Sequence, residues 1–121
     1  MNLIEIKKTD FDFKDERGLI CQICHGAIAQ VNYVFSKKGA IRGRFHYHKQ
    51  SKELFYVISG RLKLEVRRND VKEEYIFKQG NVFLIPPLVR HNFIYLEDTL
   101  LVSMYDKCVE TDENTKDIFN D

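Results

Sequence analysis

Two histidines stand one residue apart at His46 and His48, and a carboxylate, Glu53, follows after the four polar residues KQSK. On a strand, side-chain direction repeats every two residues, so both imidazoles share one face. The KQSK stretch reads as a turn, and Glu53 opens the apolar run ELFYVISG, which lets its carboxylate return beside the two rings. A third imidazole, His91, follows the tight Pro86-Pro87 turn, and on a strand it shares a face with Phe93 and Tyr95. Imidazoles with a carboxylate support two chemistries. As ligands they suit zinc, iron, manganese or nickel and leave positions open for water or substrate. As free groups, histidines are suited to move protons because their pKa lies near neutrality. One imidazole cannot do both, since a lone pair given to a metal is not available to a proton.

The elements that must position these residues are strands. RLKLEVRR alternates, with Leu62, Leu64 and Val66 on one face and Lys63, Glu65 and Arg67 on the other. ELFYVISG is apolar on both faces, which places it in the middle of a sheet. Further strand-like runs are residues 1–8, LICQIC at 19–24, AQVNYVFS at 29–36, GRFHYH, EEYIF and NVFLIPP, and HNFIYLEDTLLVSMYDK holds two more, split at Glu97-Asp98. TDFDFKDERG reads as turn formers and charges. No internal stretch has helical periodicity. Eight or more short strands with regular turn signals predict an all-β sandwich or barrel.

At 121 residues the chain is expected to form one domain with one core, over 1–107, followed by an acidic tail or short helix at 108–121. The net charge of +1 and an ordinary apolar fraction predict a globular protein. The amino terminus lacks the apolar core of a signal peptide and no run reaches 18 apolar residues, so a cytoplasmic location is the default and no membrane partner is expected. Cys21, Cys24 and Cys108 are odd in number and are expected as reduced thiols. Cys21-Gln22-Ile23-Cys24-His25 matches a haem attachment pattern, but Cys21 and Cys24 would point to opposite faces of a strand, which favours two small strand cysteines. Residues 37–72 carry eleven Lys or Arg against three acids, a set that forms either an anion-binding mouth or simply solvated outer faces. No nucleic-acid reading module accompanies them.

The spacing His46-x-His48, four residues, Glu53, six residues, Gly60 resembles the first motif of the cupin superfamily. Gly80, five residues, Pro86, two residues and then two more to His91 resembles the second, with Leu88 where the motif has glycine and Tyr95 where it has asparagine. The resemblance implies an all-β cupin jelly roll (a double-stranded β-helix) of two antiparallel sheets, usually dimeric, with a divalent metal held by His46, His48, Glu53 and His91.

Within that superfamily the chain is similar to small enzymes acting on nucleotide-linked 4-keto-6-deoxy sugars, of the 3,4-ketoisomerase and 3,5-epimerase types. Asp15-Glu16-Arg17-Gly18, the run VNYVFSKKG leading to Arg42-Gly43, and the PPLVRH turn carry this likeness. One residue more than usual separates Arg42-Gly43 from His46. The likeness implies His46 or His48 as the base that removes a proton next to the ketone, Tyr33 as its proton partner, Arg42 or Arg44 on the diphosphate, and Tyr95 as a further substrate contact. It implies a nucleotide sugar as the substrate, surface-polysaccharide sugar biosynthesis as the setting, and a homodimer as the assembly. The metal-free ketoisomerase type commonly has glutamine where Glu53 stands, so Glu53 pulls toward a metal; without one, no cofactor is needed. The alternatives are a metal-dependent small-molecule cupin enzyme of the oxygenase type and a ligand-binding cupin without catalysis.

Overall fold

The structure, a computed structural model, describes residues 2–109 and 116–121. The first half of the chain supplies β1 (Glu5–Lys7), β2 (Phe11–Asp15), β3 (Gly18–Gln22), β4 (Gln30–Ser36) and β5 (Ile41–His46). The second half supplies β6 (Glu53–Ser59), β7 (Arg61–Arg68), β8 (Val71–Lys78), β9 (Val82–Ile85), β10 (Arg90–Tyr95) and β11 (Thr99–Tyr105). All pairings are antiparallel. One sheet runs β1-β9-β6-β11-β4, a second runs β5-β10-β7-β8, and β2 with β3 forms a separate hairpin. This is the all-β jelly roll that the motifs imply, with no helix among the described residues.

The alternation of RLKLEVRR carries through directly. Leu62, Leu64 and Val66 are completely buried between the sheets, while the residues between them face outward. β6 lies at the centre of its sheet, between β9 and β11, with Phe55 and Val57 turned into the core and Ile58 exposed. Three aromatic rings stack through the middle of that core: Phe83 lies 4.1 Å from Phe77 and 4.9 Å from Phe55, centroid to centroid. Rings of this size each remove a large apolar area from water, and they set the spacing between the two sheets.

The β2–β3 hairpin corrects one expectation. FDFKD forms strand β2 because Phe11 and Phe13 alternate with Asp12 and Lys14. The charged stretch contains only one true turn, at its end. There Asp15 accepts from the Arg17 backbone N–H at 2.9 Å and pairs with its guanidinium at 2.6 Å, closing the hairpin before Gly18. The three cysteines are free thiols, as expected. Of the terminal segment, 110–115 lies outside the described residues, Val109 is buried, and residues 116–121 lie against the turn that follows β5. No helix of the structure is long and apolar enough to cross a membrane.

Candidate active site

The site is built where β5 meets β10. His46 and His91 are directly opposed across the two strands, with ring centroids 4.5 Å apart and nearly perpendicular. Two positions away, Arg42 opposes Phe93, so Gly43, Arg44 and Phe45 are left facing Asn92 alone. All three have positive φ, at 98°, 47° and 63°. The result is a bulge, a device that bends a strand and re-aims its side chains. It absorbs the extra residue between Arg42-Gly43 and the histidines. Gly43 is required there, because a Cβ would lie 2.8 Å from the carbonyl oxygen of His91. Asn92 accepts from the Arg44 backbone N–H at 3.0 Å, and the Arg67 guanidinium sits 3.7 Å over the Phe45 ring. These contacts hold a backbone that costs about 1–3 kcal/mol per left-handed residue.

Beyond β5 the chain turns through Lys49–Lys52 and returns as β6, with Glu53 at its start. His48, Glu53 and His91 are 3%, 4% and 1% exposed. Glu53 Oε1 lies 3.1 Å from His48 Nε2 and 3.7 Å from His91 Nε2. The outer nitrogens also have partners. His48 Nδ1 donates to the Asp117 carbonyl at 2.6 Å, and His91 Nδ1 donates to the Val89 carbonyl at 3.1 Å. The structure therefore brings His46, His48, Glu53 and His91 together, as their spacing predicts.

Their electrostatics diverge. Burial, reinforced by the neighbouring His48, lowers the His46 pKa to about 4. Burial also drives His91 well below its ordinary value, with His46 adding to the effect. His48 is opposed by burial too, but the hydrogen bond and charge of Glu53, with help from Asp117, outweigh it and raise its pKa. Two imidazoles are thus held uncharged beside one that favours its cation.

A cavity of about 150 Å³ opens between the sheets in front of this cluster. Its wall includes Asn32, Arg42, His46, Glu53, His91, Tyr95, Ser103 and Tyr105. His48 lies behind Glu53 and does not line it. Arg42 is positioned by its Nε, which donates to Ser36 Oγ at 2.7 Å. Arg44 is exposed on the bulge and is not part of the wall. Tyr33 is not brought to the site: it is 78% exposed, because Val31, Tyr33 and Phe35 occupy the outward face of β4 while Asn32 and Val34 face the cavity. Tyr95 lines the wall, and burial raises its pKa, so it remains a protonated donor. The sequence carried a signal for two overlooked wall residues. Asn32 and Ser103 are small polar residues inside apolar runs, paired across β4 and β11, and Tyr105 follows Ser103 on the same face.

The cupin domain family model matches residues 32–106. The chain belongs to the cupin family. No curated protein sequence matches this cupin. Among solved structures it is similar to a sugar 3,4-ketoisomerase from Thermoanaerobacterium thermosaccharolyticum in complex with TDP, at 20% identity and a TM-score of 0.80, covering 97% of this chain and 87% of that one. It is also similar to a TDP-quinovose 3,4-ketoisomerase from Campylobacter jejuni, at 15% identity and a TM-score of 0.80, covering 96% and 92%. A dTDP-4-dehydrorhamnose 3,5-epimerase from Sulfolobus tokodaii follows at 20% identity and a TM-score of 0.69, covering 94% and 78%. At these identities the likeness establishes the fold.

The cluster also fits a divalent metal. One ring nitrogen from each of His46, His48 and His91 lies within 4.8 Å of the others. Backbone carbonyls on the Nδ1 atoms of His48 and His91 turn each Nε2 inward, toward Glu53, and a carbonyl on the outer nitrogen is typical of ligating histidines. The group with ligand spacing comprises the three histidines, and Glu53 Oε1 lies beside two of them, 3.1 Å from His48 Nε2 and 3.7 Å from His91 Nε2.

Proposed function

We propose that this cupin is an isomerase or epimerase of a nucleotide-linked 4-keto-6-deoxy sugar, acting by proton abstraction next to the ketone. The carrying observation is the contrast between neighbouring imidazoles: His46 is held uncharged at the cavity wall while His48 behind it is driven toward its cation. Groups whose environments push their pKa values apart mark the acid and base assignments of a site. Of the two histidines on the cavity wall, His91 is wholly buried and His46 is the more accessible, so His46 is the base rather than His48, which does not line the cavity.

The cavity is small beside the ~300–1,000 Å³ of a typical ligand site, so only the sugar ring enters it. The nucleotide lies outside, with its diphosphate on Arg42, whose guanidinium carries the charge that a phosphate pairs with best. The 4-keto group acidifies the C3 hydrogen. His46 takes that proton, leaving an enolate whose oxygen accepts from the Tyr95 hydroxyl. A proton returned to C4, with the O3 hydroxyl proton given up and O4 protonated, moves the carbonyl to C3, and a proton returned to the opposite face of C3 gives the epimer. Tyr95 and Tyr105, inside the cavity, replace Tyr33 as proton partners. Surface-polysaccharide sugar biosynthesis in the cytoplasm is the setting that suits such a substrate.

A homodimer completes the reading. Phe11, Phe13, Leu19 and Ile20 on the hairpin, with Val31, Tyr33 and Phe35 on β4, are each at least half exposed, an apolar surface that a second copy would cover. Light scattering should give twice the chain mass, and Ile20→Glu should reduce it to the monomer.

The reaction is tested by following a nucleotide-linked 4-keto-6-deoxyhexose by NMR. The expected result is a product with its carbonyl at C3 or its C3 inverted, formed about 10²–10⁴-fold more slowly by His46→Asn. No product from any such sugar would refute the reading. The nitrogen triangle favours a second reading, a metal-dependent enzyme of the oxygenase type. A bound divalent ion would supply Lewis-acid polarisation of the substrate oxygen. Stoichiometric iron, zinc, manganese or nickel in the purified protein would support it.

A further inference from the structure

Residues 116–121 form a strap across the loop that joins His48 to Glu53. Phe119 exchanges two backbone hydrogen bonds with Tyr47, each 3.0 Å long. Lys49 Nζ sits 4.1 Å over the Phe119 ring, and the Tyr47 hydroxyl donates to Asp121 Oδ1 at 2.6 Å. At the centre is Asp117. Its Oδ1 accepts from the Lys49 backbone N–H at 2.8 Å, and its Oδ2 accepts from Gln50 N at 3.0 Å, Ser51 N at 2.9 Å and Ser51 Oγ at 2.8 Å. Its backbone carbonyl accepts from His48 Nδ1 at 2.6 Å. One residue therefore makes hydrogen bonds to four consecutive residues of the site loop.

The two ends of Asp117 do different things. The carboxylate caps backbone N–H groups that would otherwise be unpaired in the loop, and so fixes the path from His48 to Glu53. The carbonyl can only accept, so it requires the proton on His48 Nδ1 and turns Nε2 toward Glu53. We propose that Asp117 is a positioning residue of the site, whose carboxylate anchors the 49–51 loop so that its carbonyl locks the ring orientation and Nδ1 protonation of His48. The assignment is independent of the reaction and of the metal. Whether Nε2 faces Glu53 or an ion, the ring is already set from outside.

The experiment reads the ring directly, by proton–nitrogen NMR of protein labelled with ¹⁵N-histidine. In the unsubstituted protein, His48 should show a bonded, slowly exchanging Nδ1 proton, as should His91 through its bond to Val89. Asp117→Ala should speed exchange of the His48 proton by about tenfold or more, the factor that accompanies one lost hydrogen bond, while the His91 signal stays unchanged and reports an intact fold. Asp117→Asn, which keeps one acceptor oxygen, should fall between the two. An unchanged His48 signal in Asp117→Ala overturns the proposal. If the alanine variant does not fold, the asparagine variant decides: a selective loss at His48 upholds the assignment, and equal rates at His48 and His91 refute it.

Discussion

His48 Nε2 and Glu53 Oε1 meet 3.1 Å apart, both almost wholly buried, while the other nitrogen of His48 faces the Asp117 carbonyl. Carbonyl and carboxylate oxygens accept and do not donate, so in the metal-free protein His48 satisfies both partners only as the cation. Its raised pKa follows, against the opposing effect of burial. A group with a raised folded pKa contributes stability that is complete below the unfolded value, about 6.5, and is lost as pH rises through the folded value. Glu53→Gln removes the charge that raises it. The resistance of the metal-free protein to urea should therefore fall as pH rises above about 6.5, and the glutamine variant should lose this decline.

His46 and His91 act in the opposite direction. Their folded pKa values lie below that of the unfolded chain, so their contribution is complete above about 6.5 and is lost as pH falls. For His46 the window runs from 6.5 down to about 4. Unfolding midpoints measured between pH 7 and 4 should fall steadily, and His46→Asn should flatten part of the slope.

Gly43 combines a φ of 98° with a backbone oxygen 2.8 Å from where a Cβ would stand. Gly43→Ala must shift β5 away from His91 or distort the bulge. A loss of about 2–4 kcal/mol is expected from denaturant unfolding, larger than for an ordinary surface glycine. Retained stability would mean that the bulge is softer than its contacts indicate.

Arg42→Ala should raise the KM for the nucleotide sugar by about 10–100-fold with little change in kcat, since a phosphate contact is made equally in ground and transition states. Arg44→Ala should change KM by less than about threefold, because Arg44 stands outside the cavity wall. Steady-state kinetics on the two variants separates them.

The sheet architecture was legible because Leu62, Leu64 and Val66 alternate against charged neighbours, which fixes the inward face without ambiguity. β4 carries no such contrast. VNYVF is apolar at Val31, Tyr33 and Phe35, which face out, and also at Val34, which faces in. Polarity alone does not set its parity, and Tyr33, named as a proton partner only through the family likeness, lies on the outward face. The four-residue cluster was visible through residue type and spacing. Two features were not. Asp117 reaches the site across more than sixty positions of chain, and no periodicity announces such a contact. The bulge at Gly43 was present as one residue too many, but only the opposing Asn92 shows where the extra length goes.

The central claim is that His46 removes the C3 proton of a 4-keto sugar. In deuterated water, with a nucleotide-linked 4-keto-6-deoxyhexose, mass spectrometry should detect deuterium at C3 entering as fast as product forms or faster. His46→Asn should suppress this by about 10²-fold or more while binding the nucleotide sugar comparably. Deuterium incorporation that is undiminished in His46→Asn, or that is absent with every such sugar, would contradict the account.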